Sequence, residues 1–526
     1  MGTWIDVETC LGCGLCNVLC PWEALKVSTE DFVNHVDEEK CVRCFICLNA
    51  CPVEAIKVPP CRVACPIHMD IPGYLSLCSQ GKVLEGYKLM RKTNALPAIL
   101  GRVCYHPCQD ACRSGYVDDP IAICDIKRFL ADHVDLDKVE RPKVKKLGKK
   151  IAVVGSGPAG LAAAHEFFLI GYDVTIFEAD PEPGGMLRYG IPEYRLPKHI
   201  VSQDIGYIQS LEIEIKTNTK VGDKVKLEDL RHNFQAVFIA TGANETLKLK
   251  ITGVDTPGVI SGIDLLRAVN TGQKVDIEKR KVLVIGGGNV AIDAARVALR
   301  KGATEAHIIY RRERKDMPAM VNEIKAAEEE GVHFHFLTAP TRILGHAGKV
   351  SGVSIRKAKA TARDEEGGDN PLFADGEEKV MDADMVVVAI GQVPSLASFG
   401  IDLKINPRTL TTNLPGVYAG GDVVSGPSMV VKAMASGKSA ARYIHRYLNS
   451  KPEYLELVRK HLEKLSQEEY RSRIRVQKTH PAAEVPAEVR VKDFREIGRT
   501  YTQRGAQTES RRCVRRRVCS EYYDET

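Results

Sequence analysis

The stretch KIAVVGSGPAGLAAAHEFFLIGYDVTIFEAD, residues 150–180, decides the fold of this 526-residue chain. The apolar run 151–154 predicts a buried strand, the glycine-rich run 155–160 a tight turn, and the apolar run 161–170 a helix. A second predicted strand follows and ends at Glu178. This order of strand, turn, helix, strand and acid is typical of a dinucleotide-binding unit, in which the helix N-terminus faces a pyrophosphate.

The residues of the turn have separate roles in such a unit. Gly155 permits the tight turn, Gly157 lets backbone N–H groups approach a phosphate, and Gly160 lets the helix pack on the strand. The Glu178 carboxylate is placed to accept a hydrogen bond from a ribose hydroxyl. The alternative is a glycine-rich turn without a ligand, but the surrounding strands and helix favour the dinucleotide site.

Length and composition limit the class of protein. A chain of this length predicts about three or four domains. The net charge of +6 is small, and the basic residues are spread along the chain except at its C-terminal end, which argues against nucleic-acid binding. No apolar run reaches about 18 residues, and residues 1–20 are acidic and cysteine-rich, unlike a signal peptide. We therefore expect a cytoplasmic protein without a membrane span.

Cysteine is distributed unevenly. All but two of the 17 cysteines lie between Cys10 and Cys124, and the exceptions are Cys513 and Cys519. A disulfide framework needs an oxidising compartment and is rarely so one-sided, so we interpret the cysteines as metal ligands in a reducing cytoplasm. The region between Cys124 and Cys513 lacks the cysteine pair that a flavin disulfide reductase needs near its flavin.

Residues 1–60 contain the spacing C-x2-C-x2-C-x3-C-P twice. This spacing predicts two 4Fe-4S clusters, because three cysteines of one repeat and the fourth cysteine of the other hold each cubane. Structural zinc is the alternative, but zinc sites do not use this three-plus-one spacing twice. The expected ligands are Cys10, Cys13, Cys16 and Cys51 for one cluster and Cys41, Cys44, Cys47 and Cys20 for the other. The segment resembles bacterial two-cluster ferredoxins.

Residues 61–135 are predicted to form a small helical iron–sulfur domain, because the runs 71–90 and 120–132 have helical spacing. Together with the segments that follow, this region resembles the N-terminal iron–sulfur domain of the glutamate synthase small-subunit family. The family usually has two more cysteines before Cys61, and this chain lacks them. The candidate ligands that remain are Cys61, Cys65, Cys104, Cys108 and Cys112.

This ligand set is sufficient for one cluster and allows a second only with unusual ligands. Cys124 is an additional cysteine that this ligand set does not need. Cys78 lies on an apolar helix face and is expected in the core. The resemblance matches Lys127 to the position at which relatives offer Gln or Glu as a ligand, and a charged lysine cannot ligate iron. The alternative is that some of these cysteines are buried free thiols.

The resemblance also implies an FAD-binding domain over residues 150–272 and 385–450. The stretch 183–197 matches the family segment that wraps the flavin, and the strand before Thr241 ends where the backbone approaches the cofactor. In two-dinucleotide flavoproteins, an acid at the position of Asp422 meets the ribityl chain and pyrophosphate. The FAD-site residues so implied are Gly155, Gly157, Ala159, Gly160, Glu178, Gly185, Leu187, Arg188, Thr241, Gly242, Gly421 and Asp422.

A second dinucleotide unit is predicted over residues 273–384, inserted in the first. Its second strand ends in Arg311 and Arg312 where an acid would bind the NAD ribose, and cations suit the 2′-phosphate of NADP(H). NADH remains the alternative, because Glu313 lies only one residue beyond the position at which an acid would accept hydrogen bonds from the ribose diol. The expected NADP-site residues are Gly286, Gly288, Asn289, Val290, Ala291, Arg311, Arg312 and Gly391.

The predicted fold is multidomain α/β and α+β, with a ferredoxin-like domain, a helical iron–sulfur domain and two Rossmann-like domains. Residues 136–149 are a charged linker, and residues 451–526 are a charged tail. Relatives often end in a cysteine-rich segment, of which Cys513 and Cys519 resemble a degenerate copy.

These parts predict an electron-transfer flavoprotein subunit. NADPH gives two electrons as hydride, a 4Fe-4S cluster accepts one, and FAD can do both, so no catalytic side chain is expected. The expected partner is another oxidoreductase subunit or a ferredoxin, in a hetero-oligomer. One alternative is a glutamate synthase small subunit that serves a separate large subunit. The other is a scaffold subunit that holds the cofactors without nicotinamide turnover.

Overall fold

The structure is a computed structural model of the 526-residue chain. It describes residues 4–5, 16, 20, 24–27, 34–36, 47, 56–57, 59–116, 119–363, 369–373, 378–394, 396, 399–400 and 403–449. The predicted tail, with Cys513 and Cys519, lies outside these residues. Within them, no helix combines the length and the apolar character that a membrane span requires.

The N-terminal segment contributes two short antiparallel pairs of strands. Strand β1 pairs with β4, and β2 pairs with β3. The strands are β1 Trp4–Ile5, β2 Leu25–Val27, β3 Asn34–Val36 and β4 Ile56–Lys57. The first and last described strands of the predicted ferredoxin segment are therefore neighbours.

A helical region follows, and its described helices are α1 Pro60–Ala64, α2 Ile71–Ser79, α3 Val83–Arg91, α4 Pro97–Val103, α5 Pro107–Asp110 and α6 Ile123–His133. Four of them, α1, α2, α4 and α5, have a proline in their first turn, where the missing N–H would have no partner within the helix. Short 3-10 helices lie at Arg113–Tyr116 and Leu136–Lys138. The predicted helical domain is confirmed.

The first dinucleotide unit has a parallel five-stranded sheet in the order β20-β8-β5-β6-β7. Its strands are β5 Lys150–Val154, β6 Asp173–Phe177, β7 Glu214–Lys216, β8 Ala236–Ile239 and β20 Val417–Ala419. The helices of this part of the chain are α7 Pro158–Ile170, α8 Met186–Tyr189, α9 Lys198–Gln209, α10 Leu227–Asn233, α14 Asp422–Ser425 and α15 Val430–Asn449. Helix α7 is apolar on all sides because it lies between the sheet and α15.

The second dinucleotide unit has its own parallel sheet, in the order β10-β18-β11-β12-β13. The strands are β10 Val259–Ser261, β11 Lys281–Ile285, β12 Glu305–Ile309, β13 His333–His335 and β18 Met385–Val388. The helices are α11 Gly262–Asn270, α12 Asn289–Arg300 and α13 Val321–Glu329, with a 3-10 helix at Arg314–Asp316. The insertion of one unit in the other is confirmed, because the chain leaves the first sheet after β8 and re-enters it at β20.

The boundaries of the insertion differ from the expected residues 273 and 384. We expected the chain to return to the FAD domain at Met385, but β18 pairs with β10 and β11 of the second sheet. Strand β10 also places the start of this sheet before residue 273. The sequence could not assign Met385–Val388, because an apolar run of this kind is buried on both faces in either parallel sheet.

An antiparallel group of strands packs on one face of the second sheet. Its strands are β14 Thr338–His346, β15 Lys349–Arg363, β16 Asp369–Phe373 and β17 Lys379–Asp382. Ile343, Val350 and Val353 bury that face. Strand β16 begins at Asp369, and residues 364–368 lie outside the described residues. Short strands β9 Glu245–Thr246 and β19 Gln392–Val393 form a separate antiparallel pair.

Candidate functional site

The predicted FAD-site residues lie at one edge of the first sheet. The glycine-rich turn follows β5, Glu178 follows β6, Thr241 and Gly242 come shortly after β8, and Gly421 and Asp422 come shortly after β20. Because all these strands are parallel, their carboxyl ends meet at the same edge, which is where dinucleotides bind in open α/β sheets. The structure therefore brings the residues of four separate segments together.

The turn after β5 leaves the N-terminus of α7 open. Gly155 has φ +101°, and a Cβ there would lie 2.5 Å from the Ala240 carbonyl oxygen, so the turn requires glycine. Gly157 is the N-cap residue of α7 and provides no side-chain cap. No atom lies within 4 Å of a Cβ built on Gly157. The start of α7 therefore has no side-chain cap and has room beside Gly157 for a ligand, as an anion site at a helix N-terminus requires.

Glu178 is buried and organises the same turn. Its Oε2 accepts hydrogen bonds from the Ser156 N–H, at 2.9 Å, and from the Ser156 hydroxyl. Its Oε1 accepts from the Asp180 N–H at 2.8 Å. The Ser156 hydroxyl oxygen accepts in turn from the Gly184 N–H at 2.9 Å. The sequence analysis did not select Ser156, although its position between two glycines of the turn could have identified it as a residue of the site.

The segment expected to wrap the flavin contacts this turn. Gly185 is the N-cap residue of α8, and a Cβ built on it would lie 3.1 Å from the Gly157 Cα. Leu187 is completely buried. Arg188 donates to the Pro183 carbonyl at 2.8 Å and pairs with Glu182 at 2.6 Å, so its guanidinium is bound by its own loop.

Two polar groups at this edge fit a bound cofactor. The Thr241 hydroxyl is buried and has no hydrogen-bond partner among the described residues. A buried hydroxyl without a partner is costly, and a ligand atom would satisfy it. Asp422 accepts from the Ser428 hydroxyl at 2.6 Å, and burial raises the pKa of its carboxyl. The open helix N-terminus, the unsatisfied hydroxyl and the acid together fit FAD.

The predicted NADP-site residues lie at the equivalent edge of the second sheet. The turn 286–291 follows β11, Arg311 and Arg312 follow β12, and Gly391 follows β18. Gly288 is the N-cap residue of α12, again without a side-chain cap. The Asn289 side-chain oxygen accepts from the Met320 N–H at 3.1 Å, which ties the helix start to the segment before α13.

The basic residues after β12 are not equivalent. Arg311 is exposed and makes no hydrogen bond or ion pair with the described residues. The Arg312 side chain contacts the Tyr310 hydroxyl. Burial raises the pKa of Tyr310, and the charge of Arg312 opposes this rise. Arg314 is paired with Glu328 at 2.7 Å, and Lys315 is paired with Glu313 at 2.7 Å. Arg311 therefore has no partner among the described residues that a bound phosphate would have to displace.

The helical region gathers four buried cysteines around one lysine. Cys65 ends α1, Cys104 ends α4, Cys108 lies in α5 and Cys124 in the first turn of α6. Lys127, one turn further along α6, is also buried. We call these four cysteines and Lys127 the cysteine cage.

The charges of the cage residues act on one another. Burial raises the pKa of the Cys108 thiol to about 12, and the charges of Cys65, Cys104 and Cys124 raise it further, while Lys127 opposes the rise. Burial disfavours the charge of Lys127, but Cys104, Cys124, Cys65 and Cys108 favour it, and the net effect raises the pKa of the lysine. The sequence analysis had treated Cys124 only as a spare.

Cys61 and Cys112 are less buried than the four cage cysteines, since both are only half-buried. Burial is the largest cause that raises the pKa of Cys61, and the charges of Cys112 and of Cys65 in the cage raise it further. Hydrogen bonding to the Ile121 backbone lowers the pKa of Cys112. The structure thus divides the predicted ligands of this region into a buried set and a half-buried pair. Cys78 is half-buried and packs against the core, close to its expected place.

Thiols are the donor set that 4Fe-4S clusters use. Among the described residues, no group of three or more His, Cys, Asp or Glu side chains is arranged to hold a single metal ion. A cubane takes thiols that are further apart, because each binds a different iron. The cysteine cage therefore fits a cluster by its chemistry.

In the predicted ferredoxin segment, Cys16, Cys20 and Cys47 belong to the described residues, and they pack with Leu25 and Val36. The Cys20 sulfur accepts from the Ala24 N–H at 3.3 Å. The other predicted ligands, Cys10, Cys13, Cys41, Cys44 and Cys51, lie outside the described residues.

The helical region and the first dinucleotide unit share one hydrophobic core. Helix α4, which ends at Cys104, packs on α9 and α15. The buried Arg91 guanidinium lies 2.7 Å from the Asp204 carboxylate, which also accepts from the Ile99 N–H at 3.0 Å. These contacts hold the cysteine cage against the unit predicted to bind FAD.

A second buried ion pair lies at the same junction. Lys438 on α15 donates to the Thr93 carbonyl at 2.9 Å and to Glu166 on α7 at 2.7 Å. Burial alone would raise the pKa of Glu166, but Lys438 and Arg442 hold it at about 2. The sequence analysis missed this pair, although charged residues on otherwise apolar helices were a usable signal.

The chain matches three family models. "Pyridine nucleotide-disulphide oxidoreductase" matches residues 149–437, "Dihydropyrimidine dehydrogenase domain II, 4Fe-4S cluster" matches residues 23–139, and "4Fe-4S binding domain" matches residues 3–26. The last two overlap the predicted ferredoxin and helical segments, and they support iron–sulfur clusters in this part of the chain.

Curated relatives extend over most of the chain. The NADP(+)-dependent formate dehydrogenase subunit beta of Moorella thermoacetica is 38% identical, over 87% of this chain and 70% of that protein. The NADPH-Fe(3+) oxidoreductase subunit beta of Geobacter sulfurreducens is 40% identical, over 75% of this chain and 64% of that protein. The glutamate synthase [NADPH] small chain of Escherichia coli is 34% identical, over 74% of this chain and 89% of that protein.

Among solved structures, FprA of Mycobacterium tuberculosis in complex with NADPH is similar. The TM-score is 0.50 at 21% identity, with 59% of this chain and 89% of that chain covered. At this identity the likeness shows the fold alone, and it agrees with the two dinucleotide units described above.

Proposed function

The chain belongs to the pyridine nucleotide-disulphide oxidoreductase family, and from this premise we propose that it is an electron-transfer subunit that connects NADP(H), FAD and 4Fe-4S clusters. The observation that carries the proposal is the shared core between the cysteine cage and the first dinucleotide unit. A flavin site and a cluster site that are fixed against each other suit electron transfer between them.

In this proposal, the residues after β5 hold FAD. The N–H groups at the start of α7 receive the pyrophosphate, with Gly157 leaving room for it. The Thr241 hydroxyl gains its missing partner, and Asp422 binds the ribityl side. Glu178 accepts from the ribose, with a carboxylate that Ser156 and Asp180 already orient. Arg188 acts by holding its loop closed around Gly185 and Leu187.

The second unit holds NADP(H). The start of α12 receives the pyrophosphate, and Arg311 binds the 2′-phosphate by a charge-assisted hydrogen bond. Arg312 supports this site from its position at Tyr310. When bound, FAD supplies the chemistry that links hydride to single electrons. The chain's own residues then have to bind and orient both dinucleotides, and they need no acid, base or nucleophile.

We propose three 4Fe-4S clusters, two in the ferredoxin segment and one in the cysteine cage. The half-buried pair of Cys61 and Cys112 supplies too few thiols for a further cubane. We further propose a partner that is an oxidoreductase subunit or a ferredoxin. Two of the three relatives are named as a subunit beta and the third as a small chain, which supports a hetero-oligomer.

The glycine at the start of each helix offers a matched pair of test variants. Gly157 has φ −70° and Gly288 has φ −89°, so alanine is compatible with the backbone at both positions. The nearest atom to a Cβ on Gly288 is 4.0 Å away. Gly157→Ala should fold and lose FAD, whereas Gly288→Ala should keep FAD and lose NADPH binding.

The experiment measures FAD content, NADPH affinity and NADPH-dependent reduction of a one-electron dye with anaerobic protein. We expect turnover by the wild type and by neither variant. A wild type that carries FAD and iron but does not turn over would favour the scaffold alternative. Co-purification of a large synthase subunit from native extract would favour the glutamate synthase alternative.

A further inference from the structure

The cysteine cage contains one thiol more than the sequence analysis assigned to it. Cys65, Cys104 and Cys108 were candidate ligands, and Cys124 was not. All four are buried to a similar degree, with exposed fractions of 6–9%. The other two candidates, Cys61 and Cys112, form the half-buried pair.

The backbone places Cys124 at the cage. Helices α4 and α6 cross closely at Gly101, where a Cβ would lie 2.8 Å from the Arg128 Cα. The first turn of α6, which carries Cys124, therefore lies beside the last turn of α4, and Cys104 is the C-cap residue of α4. The Cys124 sulfur lies 3.5 Å from the Leu100 carbonyl oxygen and 3.6 Å from that of Gly101.

The backbone of Cys124 is also fixed. Its N–H donates to the Gln109 side-chain oxygen at 2.9 Å, and Gln109 directly follows Cys108. The segments that carry Cys104 and Cys108 are thus both tied to the residue that carries the fourth thiol. A buried free cysteine has no need of such contacts to two other cysteine-bearing segments.

We propose that Cys124 is the fourth ligand of a 4Fe-4S cluster in the cysteine cage, together with Cys65, Cys104 and Cys108, and that Lys127 is the cation that offsets its negative charge. The proposal rests on the proposed function, because it specifies a cluster that the function requires. Each thiol releases its proton to solvent, and a bond from its sulfur to iron takes the place of the S–H bond.

Lys127 suits this role by position. Cys124 and Lys127 are three residues apart on α6 and therefore share the face that is buried in the cage. Lys127 is 4% exposed, and a buried charge has to be compensated by an opposite one. Thiolates bound to iron supply that opposite charge, and the lysine in turn reduces the net charge of the site. Net charge is one of the quantities that set cluster reduction potentials.

The test compares Cys104→Ser, Cys124→Ser and Cys78→Ser in anaerobic full-length protein. Iron per chain and the electron paramagnetic resonance spectrum of dithionite-reduced protein are measured, with FAD content as the check on folding. We expect Cys104→Ser and Cys124→Ser each to lose about four irons or to give an altered cage signal. Cys78→Ser, a half-buried cysteine outside the cage, should match the wild type.

Wild-type iron and spectrum in Cys124→Ser, together with loss in Cys104→Ser, would overturn the assignment of Cys124 and leave the proposed function intact. Absence of iron from the wild type would instead overturn the proposed function. Lys127→Gln should retain the iron and lower the midpoint potential of the cage signal. An unchanged potential would overturn the role of Lys127.

A measurement on the wild type does not depend on the folding of any variant. Mild oxidation removes the iron that lacks a protein thiolate, so a three-thiolate site gives a 3Fe-4S signal. We expect no such signal from the cage. A 3Fe-4S signal that is present in the wild type and absent from Cys104→Ser would show that the cage has only three thiolate ligands and would overturn the proposal.

Discussion

Arg195 lies 2.7 Å from the buried carboxylate of Asp293, and this ion pair joins the two dinucleotide units. Arg195 belongs to the segment after α8 of the first unit, and Asp293 belongs to α12 of the second. The neighbouring Tyr194 hydroxyl donates to Asp293 at 3.2 Å, and Arg195 also lies 3.2 Å from Glu323. These contacts fix the relative orientation of two sites that have to cooperate.

The first prediction concerns the pH dependence of this pair. Burial raises the pKa of Asp293 to about 6, although Arg195 opposes the rise. Because the pKa is raised above its unfolded value of about 3.9, the folded protein binds the proton more tightly. The contribution of Asp293 to stability is therefore full below about pH 4 and is lost as the pH rises through 6. Asp293→Asn removes this dependence.

The measurement is the melting temperature of wild type and Asp293→Asn between pH 4 and pH 7. We expect the melting temperature of the wild type, relative to that of the variant, to fall across this interval. Asp264→Asn, at an exposed carboxylate on α11, is the control and should follow the wild type. A constant difference between wild type and Asp293→Asn would contradict the prediction.

The second prediction concerns nucleotide choice. Each charge-assisted contact contributes about 1.5–3 kcal/mol, so loss of Arg311 should weaken NADPH by roughly 10- to 150-fold. Arg311→Ala with Arg312→Ala should weaken it further, and NADH should be nearly unaffected by either. Titration of both nucleotides provides the dissociation constants. Arg314→Ala is the matched control, because Arg314 is held by Glu328. Equal losses for NADPH and NADH would mean that the arginines act structurally.

The third prediction concerns the junction between the cysteine cage and the first unit. Arg91→Ala leaves the buried Asp204 carboxylate without its ion-pair partner, and breaking a buried pair costs about 3–5 kcal/mol. We expect this loss in the free energy of unfolding by denaturant titration. The exposed pair of Arg128 and Asp132, at 3.4 Å, is the control, and Arg128→Ala should cost less than about 1 kcal/mol. If both variants lost a similar free energy of unfolding, burial would not be the reason for the cost of breaking the Arg91 pair.

The fourth prediction concerns the ferredoxin segment. The ligand count of its two repeats implies about eight irons in addition to those of the cage. Cys13→Ser should lose about four of them while FAD content stays constant. The measurement is iron and zinc by plasma mass spectrometry on anaerobic protein. Stoichiometric zinc with little iron would refute the cluster assignment of the segment.

The fifth prediction concerns the order of the carriers. If the cage lies between the flavin site and the ferredoxin segment, Cys104→Ser should abolish NADPH-dependent reduction of the ferredoxin clusters and leave flavin bleaching by NADPH intact. Stopped-flow absorbance and electron paramagnetic resonance report the two events separately. The variant must first be shown to retain FAD and ferredoxin iron. Ferredoxin clusters that are reduced at the wild-type rate would exclude the cage from the route.

Much of this protein was determined by the sequence itself. The two glycine turns, the strands around them and the repeated cysteine spacing depend on residues that are close in the chain. Short-range steric and hydrogen-bonding rules govern such segments, so Gly157 and Gly288 could be placed at helix starts without coordinates. The family resemblance then supplied the cofactors that these segments suit.

Tertiary structure alone decided the remainder. Strand β18 pairs within the second sheet, and Cys124 lies in the cysteine cage. Arg195 forms an ion pair with Asp293, which belongs to a distant segment. Each of these outcomes depends on contacts between residues far apart in the chain, which leave no periodic pattern in the sequence. An apolar strand is compatible with either sheet, and a buried thiol or carboxylate acquires its role only from the groups that packing brings to it.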